Sequence, residues 1–352
     1  MRLATNPYCP VCNNAGRYAY EELHDGLFAI PGAWNIRACE DPACGMLWLD
    51  PHPAEEDIHK AYEGYYTHGN VRRRKKKGLR GLWKRLVNRP IKYFLSFPAN
   101  AYKGVMYNDP LFVSATTNSW MSPFMRLRPS DRADIDFSYM YLPVIPGARL
   151  LEVGCGSGWM LSLMQQRGWI AEGIDFDPKA VAHARTQGLE VHVGDLSAQM
   201  YPLDYFDVIT CSHVIEHLYD PTNFLIECKR VLKPKGRLVI VTPNSESLGR
   251  VVFGRHWRGL EPPRHLQIFS ANGLKVLAGR AGFAECQIRY SIRDAHNLFN
   301  ASKNLAVTGR HEHGQEAAFH WRFLFRAMQL FERFVMCWKP SVGEELVIIL
   351  TK

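Results

Sequence analysis

Leu150-Leu151-Glu152-Val153-Gly154-Cys155-Gly156-Ser157-Gly158 decides the fold of this chain. An apolar strand runs through one acidic residue into three alternating glycines, and Trp159 onward reads as a helix. Glycines so placed let the backbone turn sharply and leave room for a ligand at the start of that helix. The stretch is therefore a nucleotide-cofactor loop.

The dinucleotide pattern G-x-G-x-x-G would need a third glycine where this chain has Trp159, and a bulky indole there argues against a pyrophosphate site. Glu152 would repel a phosphate but can accept a hydrogen bond from an ammonium group, such as that of the methionine moiety of S-adenosylmethionine. Gly173-Ile174-Asp175 lies where an alternating α/β chain places the acidic residue that holds ribose hydroxyls. Gly194-Asp195 follows the apolar run Leu189 to Val193 and suits an adenine edge.

Apolar runs at Arg149 to Val153, Ile170 to Ile174, Glu190 to Val193, Phe206 to Cys211 and Arg237 to Thr242 alternate with helical patterns. The helical patterns cover Gly158 to Arg167, Pro178 to Gln187, Asp220 to Leu232 and Ala271 to Ala281. Asp177-Pro178 and Asp220-Pro221 are cap-plus-proline helix starts. Such alternation predicts a parallel sheet with ligands at the carboxyl ends of its strands.

With these motifs in this order, the chain resembles a class I S-adenosylmethionine-dependent methyltransferase over residues 140 to 290, with a returning strand at Glu345 to Thr351. Further matching parts are Phe206-Asp207-Val208-Ile209, the run Val231 to Gly236, and a fifth strand ending in Thr242-Pro243-Asn244. The resemblance implies an α/β, Rossmann-like sheet, mainly parallel, of seven strands with the last antiparallel. It also implies that Glu152, Gly154, Cys155, Gly156, Gly158, Asp175, Phe176, Asp195, Leu196 and Ser212 hold S-adenosylmethionine.

The 352 residues exceed one such core, so about two domains are expected, and 47% hydrophobic residues are ample for a packed interior. At the N-terminus, Cys9-x2-Cys12 and Cys39-x4-Cys44 form two knuckles around a hairpin-like segment with Gly26, Pro31 and Gly32. Four thiolates so paired suit structural, tetrahedral zinc, which would staple a unit too small to bury much apolar surface. Disulfides or free thiols are the alternatives. No apolar signal segment follows Met1, and Cys155, Cys211, Cys228, Cys286 and Cys337 are scattered, so a reducing, cytoplasmic setting is expected. The run Cys44 to Pro51, followed by Ala61-Tyr62 and Tyr65-Tyr66, is similar to the zinc-ribbon-like module of a bacterial methyltransferase group often linked to surface polysaccharide biosynthesis. The expected organisation is a zinc module at 1–55, a basic and aromatic helical linker at 56–135, and a methyltransferase domain at 136–352 with a helical insertion at 291–340.

The formal net charge of +9 equals the nine Lys and Arg between Arg72 and Arg85, so the basic excess is local. Arg72 to Lys77, Trp83, Tyr93, Phe94, Phe97 and Tyr102 interleave charge with aromatics. A segment of that kind, residues 72–103, can touch an anionic membrane surface on its inner face, a phosphate-bearing substrate or nucleic acid; a solvated linker is the bland alternative. No run reaches the length of a membrane span. Phe319 to Trp338 comes closest, as an amphipathic helix with Arg322, Arg326, Gln329 and Arg333 on one stripe. Its apolar remainder, Phe323, Leu324, Met328, Phe331, Phe334 and Val335, is expected to pack on its own domain, with membrane docking or capping of a pocket as alternatives.

After the fourth strand, Cys211-Ser212-His213-Val214-Ile215-Glu216-His217 places His213, Glu216 and His217 at helical spacing. His217 can act as a general base toward an acceptor hydroxyl, because a neutral imidazole takes a proton near neutral pH. His265, in Pro262-Pro263-Arg264-His265, can join His213, Glu216 and His217 in a second site for a divalent metal. The E-x-x-E-H motif of ubiquinone-pathway O-methyltransferases looks similar, although His213 replaces its first acid. Arg258, Glu261, Arg264 and His265 suit a sugar or phosphate acceptor, or else fix their loop. The expected activity is O-methylation of a sugar hydroxyl in a cell-surface glycan, glycolipid or nucleotide sugar. The alternative is an RNA methyltransferase that grips nucleic acid with its zinc module and basic stretch.

Overall fold

The structure, a computed structural model, describes residues 1–62, 98–109, 111–112, 122–312 and 314–352. The basic stretch Arg72 to Arg85, with Trp83, Tyr93, Phe94 and Phe97, lies outside the described residues. The N-terminal part holds β1 (Leu3–Ala4), β2 (Gly16–Leu23), β3 (Trp34–Cys39), β4 (Leu47–Leu49) and β5 (His52–Pro53). The remaining strands are β6 (Arg149–Val153), β7 (Ile170–Asp175), β8 (Glu190–Val193), β9 (Phe206–Ser212), β10 (Leu232–Pro243), β11 (Gln267–Ile268), β12 (Glu285–Ser291) and β13 (Glu345–Thr351). The helices are α1 (Pro129–Ser138), α2 (Trp159–Gln166), α3 (Pro178–Thr186), α4 (Pro221–Val231), α5 (Leu248–Phe253), α6 (Ala271–Arg280), α7 (Ala295–Thr308) and α8 (Phe319–Val335).

Seven strands form the main sheet in the order β12-β13-β10-β9-β6-β7-β8. The five from β6 to β10 are parallel, and β13 runs antiparallel to both β10 and β12. Alternation along each strand sorts the core onto two faces. Leu150, Val208, Val239 and Val347 face α2 and α3 through Met160, Leu161, Met164 and Val181. Leu151, Ile209, Ile240 and Ile348 face α4 and α6 through Leu225, Cys228, Leu274 and Leu277. Each such buried aliphatic side chain contributes roughly 1.5–3 kcal/mol. The Asp-Pro helix starts work as read: Asp177 accepts from the Lys179 amide and Asp220 from that of Asn223, each at 2.9 Å. Because β6 is flanked by β7 on one side and β9 on the other, the strand order switches there and opens a crevice at its carboxyl end.

The N-terminal part is built into this core. Its sheet has the order β11-β4-β3-β2, so a strand from beyond the main sheet's fifth strand completes it, with Gln267 opposite Trp48 and Ile268 opposite Leu47. Leu23, Trp34, Ile36 and Leu49 pack there with Trp257, Leu260 and Leu266. Between the two parts, residues 98–107 are helical, and Tyr102 is buried with its hydroxyl donating to Asp136 at 2.6 Å. Tyr102 is thus a packing residue of the α1 region and not part of an exposed aromatic surface.

Helices α7 and α8 fall between β12 and β13, and α8 is rotated relative to the expectation from its apolar stripe. It buries Phe325, Gln329 and Glu332 and leaves Phe323, Leu324, Phe331 and Phe334 exposed. Each of the two buried polar side chains finds a bond, which permits this, although Glu332 Oε2 has no partner among the described residues. Gln329 donates to the Ile292 carbonyl at 2.7 Å and accepts from the Ser130 hydroxyl at 2.9 Å, while Glu332 accepts from the Glu344 amide at 2.9 Å. Among the described residues, no helix is long and apolar enough to cross a membrane.

Candidate active site

The glycine loop lies at the switch point. Gly154 has a φ of +73°, and a Cβ there would sit 2.3 Å from Val214 Cγ2, so no larger residue fits. Gly156 has a φ of +53° with nothing within 4 Å of its would-be Cβ, so its surface opens onto free space. Asp175, at the end of β7, ties the loop down by accepting from the Gly156 amide at 2.7 Å. Gly158 caps α2. Glu152 is buried beneath the loop, and burial, with the charge of Asp175 adding to it, pushes its carboxyl up to about 8. Its Oε2 has no hydrogen-bond partner among the described residues. A buried, orphaned carboxylate oxygen beside an open glycine surface fits an ammonium group with a small apolar chain behind it.

The other predicted cofactor contacts lie along the same strand ends. Asp195 follows β8, is exposed, and accepts from the Ser197 hydroxyl at 2.9 Å and the Ala198 amide at 2.7 Å. Phe176 follows β7, is 61% exposed, and meets Tyr62 edge-on at 5.4 Å between ring centroids. Cys155 and Leu196 are buried, and Ser212 closes β9.

Beyond β9 the chain makes a short 3₁₀ turn, Ile215–His217, in place of the helical face expected for His213, Glu216 and His217. His213 has a φ of +54°, a conformation rare for residues with a side chain, and its ring lies between Glu216 at 3.2 Å and Glu345 at 3.3 Å. Burial lowers its pKa, but the two carboxylates outweigh this and raise it to about 9. His213 is therefore a held cation. Burial of Glu216 raises its own pKa, yet His213 above all, with His217 and His265, brings it down to about 2. Thr242 also donates to Glu216, at 2.9 Å.

His217 turns the other way. Its Nδ1 lies 2.9 Å from the Arg264 carbonyl, which can only accept, so Nδ1 donates there and Nε2 is the nitrogen that this bond leaves unengaged. The Tyr62 hydroxyl lies 3.0 Å from the same Nδ1. His265 is fixed likewise, with Nδ1 2.8 Å from the Gly259 carbonyl, and burial brings its pKa down to about 4, so the ring is neutral. The two imidazoles meet edge-on at 4.8 Å. A Glu216 oxygen and one nitrogen each of His217 and His265 lie within 4.8 Å of one another, so these three residues can share a cation.

The loop that supplies Arg264 is held from both sides. Glu261 accepts from Arg258 and, at 3.0 Å, from Arg264. Arg264 is fully buried and donates to both oxygens of Asp25, at 2.8 and 2.9 Å. Arg264 thus fixes its loop, while Arg258 reaches the cavity wall. That cavity, of about 700 Å³, is bounded by His213, His217 and His265 on one side and by Phe28, Arg293, Asn297, Asn300, Phe325 and Arg326 on the others. Asp25 carries no local motif, Tyr62 and Glu345 belong to motifs read for other parts of the chain, and their long-range partners give all three a place in the site.

Away from the cavity, Cys9, Cys12, Cys39 and Cys44 bring their sulfurs within 4.8 Å of one another, with Cys9 to Cys44 at 3.7 Å and Cys12 to Cys39 at 3.3 Å. A tetrahedral ion with zinc–sulfur bonds of about 2.3 Å separates its sulfurs by about 3.8 Å, so the donor set fits zinc. The second knuckle is pinned to the main domain. The carbonyls of Ala43, Cys44 and Gly45 accept from Asn272, Ser270 and Ser245 respectively.

Residues 117–287 match the family model described as a methyltransferase domain. Over these residues the chain is similar to S-adenosylmethionine-dependent methyltransferases. A probable S-adenosylmethionine-dependent methyltransferase of Mycolicibacterium smegmatis is 30% identical over 167 residues, covering 47% of this chain and 60% of the relative. A ubiquinone biosynthesis O-methyltransferase of Haemophilus ducreyi is 33% identical over 141 residues, covering 36% of this chain and 60% of the relative. The chain therefore spans 60% or less of the length of these curated relatives. A solved S-adenosylmethionine-dependent methyltransferase of Archaeoglobus fulgidus overlays with a TM-score of 0.44 at 19% identity, covering 66% of this chain and 99% of that one. The glycine loop and the His213 to His217 turn both lie inside the matched residues, whereas the four cysteines lie outside them.

Proposed function

We propose that this chain is an S-adenosylmethionine-dependent O-methyltransferase acting on a sugar hydroxyl of a cell-surface glycan, glycolipid or nucleotide sugar. The observation that carries the reading is His217, which meets the Arg264 carbonyl through Nδ1 and lines a polar cavity at the carboxyl edge of the sheet, so that Nε2 is its nitrogen for an acceptor hydroxyl. Glu152 would hold the ammonium of the methyl donor, Asp175 its ribose and Asp195 its adenine edge. Bound there, the donor supplies a methyl group on a sulfonium, which leaves without acid help. The chain's own work is then alignment and deprotonation. Nε2 of His217 takes the hydroxyl proton, and the resulting imidazolium is stabilised by the buried Glu216 carboxylate and the Arg264 carbonyl. The cavity matches a sugar ring in kind, with Asn297 and Asn300 for hydroxyls and Phe28 and Phe325 for its apolar face. Zinc in the four-cysteine site would have a structural part only.

A second reading follows from the approach of Glu216, His217 and His265, in which these residues hold a divalent ion that acidifies the acceptor hydroxyl. The name of the Haemophilus ducreyi relative supports transfer to oxygen in either case. Incubation with radiolabelled S-adenosylmethionine and a panel of nucleotide sugars, glycolipids and RNA tests the proposal. Label in a sugar hydroxyl is the expected result, and label only in RNA overturns it. Loss of transfer on chelation, with restoration by magnesium or manganese, would select the metal reading.

A further inference from the structure

We infer that the outer face of α8 docks on an anionic lipid bilayer. Three arcs of this helix have distinct environments. The inner arc, with Phe325, Gln329 and Glu332, is buried on α7 and the β12–β13 connection. The outer arc carries Phe319, Phe323, Leu330 and Phe334, spaced by four, seven and four residues so that they form one line, with Leu324 and Phe331 beside it. Phe319 is 80% and Phe323 75% exposed, and Trp338, just past the helix end, is 70% exposed. Single exposed apolar residues are ordinary, but a continuous aromatic face on one helix is a contact surface.

The third arc says what covers it. Arg322, Arg326 and Arg333 line the edge between the outer and inner faces, and Lys339 follows the helix end. The one acidic residue of α8 is Glu332, which is fully buried, so the exposed charge of the helix is uniformly positive. Arg322 pairs with the exposed Glu316 at 3.4 Å, while Arg326 and Arg333 continue the row beside the aromatic line. Aromatic side chains flanked by such a mainly cationic row are complementary to anionic headgroups with acyl chains beneath them. A protein partner or second copy would need acidic residues of its own opposite that row. Arg322, Phe325 and Arg326 also wall the large cavity, so a docked α8 sets that cavity beside the bilayer. Docking does not depend on what the cavity methylates.

The test is co-sedimentation of the full chain with phosphatidylglycerol-rich vesicles and with phosphatidylcholine vesicles. Binding to the anionic vesicles, weakening as salt is raised, is expected, with little binding to the neutral ones. Phe331→Asp/Phe334→Asp is expected to cut the bound fraction about tenfold, and Arg333→Glu to weaken it less and flatten the salt dependence. These positions are exposed, and an unchanged melting curve confirms that each variant is folded. Three results overturn the inference: no binding of the unaltered protein to anionic vesicles, undiminished binding of the double variant, or a solution dimer that Phe331→Asp dissociates.

Discussion

Asp25 and Arg264 meet across 239 residues in a fully buried, two-bonded ion pair at 2.8 and 2.9 Å. The pair joins the hairpin between the two cysteine knuckles to the loop that bears His265. The backbone carbonyl of the same Arg264 receives Nδ1 of His217. The N-terminal module therefore reaches the candidate base through one arginine.

Asp25→Ala leaves the buried Arg264 guanidinium with Glu261 alone of its two carboxylates, and breaking a buried pair costs about 3–5 kcal/mol, with Glu261 holding the loss toward the lower figure. Urea unfolding should register that loss as a lower midpoint. Turnover of the folded fraction should fall as well, because the Arg264 carbonyl is no longer held in place. A stability within about 1 kcal/mol of the unaltered protein would show that the pair is dispensable.

His217→Ala removes the proton acceptor without touching the glycine loop. Binding of S-adenosylmethionine by calorimetry should stay within about twofold, while kcat falls about 10²- to 10⁴-fold. Normal turnover of this variant would refute the role of His217.

Glu152 gives a pH signature with a definite sign. Its folded pKa of about 8 lies above the ordinary 4.5, so the native state binds the extra proton between these values. Without cofactor, stability contributed through this group is greatest below pH 4.5 and declines as pH rises through about 8. Glu152→Gln should flatten that decline. An ammonium ligand requires the carboxylate, so cofactor binding below pH 8 should release a proton, visible as a heat that changes with the buffer. The same substitution should abolish this proton release and weaken binding.

Cys39→Ser tests the metal staple. Elemental analysis should find about one zinc per unaltered chain and markedly less in the variant. Because the knuckle carbonyls accept from Ser245, Ser270 and Asn272, the variant should also melt at lower temperature across the whole protein and not in a separate early step.

Much of the main sheet was legible in the sequence because its signals are local. Apolar runs gave β6 and β8 with the bounds observed, the family resemblance gave β13, and Asp-Pro pairs gave the starts of α3 and α4. Local spacing failed where a partner lies far off in the chain. His213 and His217 look alike in sequence, yet Glu216 and Glu345 hold the first as a cation while the Arg264 carbonyl takes up Nδ1 of the second. The hydrophobic stripe of α8 likewise could not reveal that Gln329 and Glu332 would find partners inside and turn the phenylalanines outward. Asp25 had no signal of any kind, since a buried acid is recognised only by the cation it meets.

The strand β11 also sets a timetable. Trp48 pairs with Gln267, so the N-terminal sheet lacks its edge until more than two hundred further residues have been made. At the usual pace of synthesis that interval is on the order of ten to forty seconds. Throughout it, β4 presents an open edge and Asp25 has no arginine to meet. A chaperone or an early metal ion would find the nascent module at its most receptive in that interval, before the later residues close over it.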